Sequence, residues 1–84
     1  MKIYLNEEEM QLLKIAASKG KMEDRVRLTP ASPNKFLLSG AEDDFVDLRE
    51  CCSDYLMIVG FDENYHLTKE GNILEKLIDK LYID

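Results

Sequence analysis

At 84 residues, with 45% hydrophobic and 33% charged content, the chain has room for one hydrophobic core, and we read residues 1–84 as a single domain. That balance is globular and excludes disorder along the whole length. The longest apolar run covers only positions 56–59, far short of the roughly 20 residues of a membrane span, so no membrane partner is expected. The opening stretch turns acidic at Glu7, Glu8 and Glu9 and lacks the apolar core of a secretory signal, so the expected location is cytoplasmic.

The net charge of −6 is unevenly spread. Between positions 14 and 35, six basic residues stand against two acidic ones; from position 36 onward, four stand against twelve. Asymmetry of this kind marks potential binding faces as well as ordinary solvated ones.

In chain order, residues 2–5 form a short strand with Ile3 and Leu5 on one side. Asn6 then caps a helix, and Glu9 three residues later completes a capping box. Leu5 and Met10 are spaced for a hydrophobic staple. The three glutamates sit where the helix dipole favours negative charge. Met10, Leu12, Leu13, Ala16 and Ala17 give the apolar face, and Lys19-Gly20 ends the helix.

Val26 and Leu28 alternate with Arg25, Arg27 and Thr29, which predicts a half-exposed strand stopped by a loop at Pro30 and Pro33. Residues 35–38 are a second strand candidate, although 21–38 could instead contain a helix. Ser39 followed by Glu42 offers another capping box. Phe45, Leu48, Cys52 and Tyr55 then recur at helical spacing, opposite Asp43, Asp44, Asp47, Glu50 and Asp54. This second helix is expected to end near Tyr55 or Leu56, with 57–61 following as a mostly buried strand. Asp62-Glu63-Asn64 reads as a hairpin turn in which Asn64 takes the left-handed position. Tyr65 and Leu67 return as a strand, and Thr68 caps a last helix with Ile73, Leu74, Leu77, Ile78, Leu81 and Tyr82 as its apolar stripe. Gly71 in its first turn is expected to weaken it slightly.

A helix, a strand, a turn, a return strand and a helix opened by Leu67-Thr68-Lys69-Glu70-Gly71 give residues 48–81 an order that resembles the second half of a winged-helix domain. The fold class expected is therefore α+β: a small winged-helix-like domain with about three helices, short antiparallel strands and a hairpin near 57–67. Many winged helices bind DNA, and the resemblance would place the helix at 42–55 in the recognition position. There it offers Arg49 against six carboxylates that DNA phosphates would repel.

No catalytic, cofactor or metal motif stands out. One histidine, His66, and the adjacent Cys51 and Cys52 lack the ligand spacing of a zinc site. Neighbouring cysteines make a strained disulfide. Asp43, Asp44 and Asp47 lack the glycine-containing loop of a calcium site. The expectation is a non-enzymatic regulatory or protein-interaction module, with Asp43, Asp44, Asp47 and Glu50 as candidate partner contacts. The alternative is nucleic-acid binding through the basic segment 19–35, by Lys21, Arg25, Arg27 and Lys35, which the overall charge opposes. The apolar stripe of the last helix leaves homodimerisation open.

Overall fold

A computed structural model describes residues 1–82. The chain runs β1 (Lys2–Leu5), α1 (Glu7–Lys19), β2 (Arg27–Ser32), β3 (Lys35–Ser39), α2 (Glu42–Val59) and α3 (Lys69–Leu81). It is an α+β domain of three helices and one antiparallel sheet in the order β1-β3-β2. Helices α1 and α3 pack both on the sheet and on α2, and α2 packs on those two helices. Leu5, Leu13, Leu38, Phe45, Leu48, Cys52, Leu74, Leu77 and Leu81 fill the core. The stripe of α3 is thus taken up largely inside the monomer.

Helix α1 begins as its chemistry dictates. The Asn6 side chain accepts the Glu9 N–H at 2.8 Å, and Glu9 Oε1 accepts the Asn6 N–H at 3.0 Å. Only 3% of Glu9 is exposed, and Lys80 Nζ from α3 donates to the same Oε1 at 2.7 Å. One capping glutamate therefore also ties the start of α1 to the end of α3. At the other end, the left-handed residue is Lys21 (φ 58°), and Gly20 has φ −89°. A Cβ at Gly20 would meet Cys51 Sγ, so a larger residue there requires that thiol to turn aside.

The segment between α1 and α2 is a hairpin, and its first strand runs through Pro30 to Ser32 where a stop was expected. Pro30 is tolerated because β2 is an edge strand, where a missing N–H costs no ladder bond on the open side. The register slips between Pro30 and Ser32, opposite Phe36 and Lys35.

The expectations for both ends of α2 are corrected. Ser39 does not cap it: Ser39 stays in β3, paired with Lys2 and Arg27, and the cap position is Ala41, which has no capping side chain. The acidic first turn of Glu42, Asp43 and Asp44 favours the helix start instead. The helix continues to Val59, so 57–61 is no buried strand. Leu56 and Val59 pack on the core from the helix, and Met57 and Ile58 are left in solvent. The hairpin expected near 57–67 is one isolated bridge, Phe61 with Leu67. Its turn is organised by Asp62, whose side chain accepts the N–H groups of Asn64 (2.8 Å) and His66 (3.0 Å). The left-handed residue there is Tyr65 (φ 62°), not Asn64.

Gly71 has a structural duty beyond helix propensity. Thr68 Oγ1 accepts the Gly71 N–H at 3.0 Å and donates to the Val59 carbonyl at 2.8 Å, while the Thr68 N–H reaches the Gly60 carbonyl at 2.8 Å. This joint presses Gly71 against the Gly60 backbone, leaving no room for a Cβ.

Candidate functional site

The two sets of candidate residues meet in space. Arg25, from the loop before β2, donates from Nε to Asp44 and from Nη2 to Asp47, both at 2.8 Å. The hydrogen bonds it donates, to Asp47 first and Asp44 second, hold the guanidinium pKa above its usual value. Two proposed partner-contacting acids and one proposed nucleic-acid contact thus satisfy one another. Such a solvent-exposed cluster fixes the loop onto α2 more than it stabilises the fold. Asp43 and Glu50 remain exposed on α2, and neither they nor Asp54 form an ion pair among the described residues.

The remaining basic candidates separate. Lys21 stands exposed in the turn after α1. Arg27 and Lys35 lie on the hairpin, and Lys35 Nζ sits 5.0 Å from the centre of the Tyr4 ring. Arg49 stacks at 3.9 Å over Tyr82, which draws the one cation of the α2 face toward the end of α3.

The outer side of α2 combines two features. Asp43, Asp47, Glu50 and Asp54 follow one another at helical spacing. Beyond them, on the last turn, Met57 is 74% and Ile58 66% exposed. Phe61 and Tyr65 lie just past the helix, and Tyr65 is 86% exposed. Large apolar side chains exposed so close together along the chain are unlike scattered surface leucines and mark surfaces that gain by being covered. The sequence reading missed Met57 and Ile58 because it buried them in a strand. The signal was the spacing Phe45, Leu48, Cys52, Leu56 and Val59, which carries the helix a full turn further.

Potential chemistry elsewhere is subdued. Cys51 Sγ lies 3.4 Å from Met22 Sδ, and its pKa is raised by burial and then by Asp54, Asp47 and Glu50. Burial pushes Cys52 up to about 12, with Cys51 adding to the shift. Both therefore stay thiols at neutral pH and are weak nucleophiles. His66 is exposed, 3.8 Å from Asp62. Among the described residues no group of three or more metal-ligating side chains is placed to hold an ion, and no helix is long and apolar enough to cross a membrane. A mainly apolar cleft of about 330 Å³ between α1 and the sheet is lined by Leu13, Ala17, Val26, Leu28 and Leu38, with Lys14 and Glu23 among its polar neighbours.

Comparison with protein-family models, curated proteins and solved structures finds no match to this chain.

Proposed function

We propose that this domain is a non-enzymatic protein-interaction module of regulatory type. The outer side of α2 is its docking surface, and its partner is a protein segment with basic residues flanking an apolar anchor. The observation that carries this reading is the exposure of Met57 and Ile58 at the end of an acidic helix face. Burying a side chain of either kind in full contributes about 1.5–3 kcal/mol, enough to anchor an interface that charge orients.

Charge selects the partner. A second copy docking through the same surface about a two-fold axis would bring the carboxylates Asp43, Glu50 and Asp54 of both copies into one interface, which like-charge repulsion disfavours. A basic amphipathic helix offers the complementary pattern. The reading does not depend on a winged-helix build. Thr68 and Gly71, which carried that resemblance, serve here to join α2 to α3.

The test is a titration of isotope-labelled protein with a synthetic helical peptide bearing leucine at one face and lysine at the other. Amide shifts should move along α2 and at Phe61, and the response should fade with added salt. Shifts confined to other elements, or none at all, would refute the assignment.

A further inference from the structure

We infer that the solvent face of the sheet is a second binding site, for single-stranded nucleic acid, built from Lys2, Tyr4, Arg27 and Lys35. The strand register brings these residues together. Lys2 pairs with Ser39 and Ser39 with Arg27, while Tyr4 pairs with Leu37 and Leu37 with Thr29. Directly paired residues share a face, and positions two apart return to it. Both rows, with Lys35, thus lie opposite Ile3, Leu28 and Leu38, whose face packs on the helices. Tyr4 is 53% exposed, and Lys2, Arg27 and Lys35 are exposed.

The charge on this face runs against that of the chain. Among the described residues, none of the 16 Asp and Glu side chains lies in a strand, while three of the 11 Lys and Arg residues do. Lys2, Arg27 and Lys35 form no ion pair among the described residues, in contrast to Arg25. Acids stand at its margins: Asp24 beside Arg27 in the preceding loop, Glu7 and Glu8 beside Asn34 at the hairpin turn, and the buried Glu9, which shares Lys80 with the Tyr4 carbonyl. The acidic face of α2 belongs to a helix that does not pack on the sheet, and its acids nearest the hairpin, Asp44 and Asp47, are already paired with Arg25.

This combination matches single-stranded nucleic acid more closely than a bare polyanion. The three cations engage phosphates, and the Tyr4 ring, with Leu37 next to it, offers a base a flat surface to stack on. Lys35, whose ammonium lies over that ring at 5.0 Å, moves off it as the base stacks and reaches the phosphate of the same nucleotide. The site shares no residue with the α2 surface, so its test stands or falls independently of the protein-docking reading.

The experiment is fluorescence anisotropy of the full chain with a labelled oligouridylate of about twelve nucleotides, within the usual span of sheet-based single-strand sites. Binding should appear at low salt and fall with a log–log salt slope of about −2, as three phosphate contacts imply. Tyr4→Ala should weaken it about fivefold or more, while Tyr4→Phe retains it. Arg27→Gln with Lys35→Gln should lose it, and Lys14→Gln with Lys76→Gln, whose residues lie on helices, should leave it unchanged. Circular dichroism checks that each variant is folded. The inference is overturned by absence of binding at low salt, or by equal sensitivity to the helix substitutions. It is equally overturned if heparin or a DNA duplex binds as well as the oligouridylate and Tyr4→Ala changes nothing.

Discussion

Replacing Gly71 by alanine sets two effects of opposite sign against each other. Helix propensity alone favours alanine by about 1 kcal/mol at an interior position. The geometry of the α2–α3 joint opposes it. A Cβ on Gly71 would stand 2.9 Å from Gly60 Cα and 3.0 Å from its carbonyl carbon, and closer still to its oxygen. All three are backbone atoms, so no side chain can rotate aside. Relief requires the helices to part, which stretches the bonds from Thr68 to Gly60 and Val59. Overpacking of this kind costs about 1–3 kcal/mol and a strained hydrogen bond about 1 more. After the propensity gain, a net loss of about 2 kcal/mol remains, which in a domain of this size lowers Tm by about 8–16 °C. Thermal and urea unfolding followed by circular dichroism measure it. Asn72→Ala, at the next and exposed position, should stay within about 0.5 kcal/mol of wild type. An unchanged or raised Tm for Gly71→Ala would show that the joint is looser than described and that propensity governs.

Other substitutions probe separate parts of the account. Glu9→Ala removes a cap and the buried partner of Lys80 together and should cost about 2 kcal/mol in urea titration; Glu9→Gln should cost less, because its amide oxygen still accepts the Asn6 N–H. Ala41→Ser should raise stability by about 1 kcal/mol by supplying the side-chain cap that α2 lacks, with Ser39→Ala having no comparable effect on the helix. Cys52 adds a pH dependence whose sign follows from its raised pKa. The folded state holds the proton that the unfolded thiol releases above about 9, so stability is full below that pH and falls as pH rises toward about 12, by up to about 1.4 kcal/mol per unit. Cys52→Ala starts less stable but lacks this alkaline slope, a difference that urea midpoints across pH will reveal.

What could be read from the sequence was local. The box of Asn6 and Glu9 lies within four residues, and nothing distant competes with it, so the start of α1 was plain. The Thr68 cap was legible for the same reason. Ser39 carried an equally good local signal and misled, because pairing with Lys2 and Arg27 holds it extended. The end of α2 was misread because a run of leucine, methionine, isoleucine and valine fits a buried strand as well as a helix turn. Only packing decides that Leu56 and Val59 point inward and that Met57 and Ile58 do not. The candidate surfaces were harder still. Arg25 appeared free until folding set it against Asp44 and Asp47, 19 and 22 residues away. Tyr4 meets Lys35 only through a register that joins the first strand to the third. Charge counts along the chain showed that a basic segment exists, but which of its cations stay available is a property of the fold.

The central claim, that the apolar end of the acidic α2 face is a docking surface, is tested most directly by the double substitution Met57→Ser with Ile58→Ser. Both side chains are largely in solvent, so stability should stay within about 0.5 kcal/mol of wild type. Calorimetric titration with the leucine- and lysine-bearing helical peptide then isolates the interface. Loss of the two anchors should weaken binding about tenfold or more, equivalent to at least about 1.4 kcal/mol. A dissociation constant unchanged by the double substitution in a folded protein would contradict the assignment.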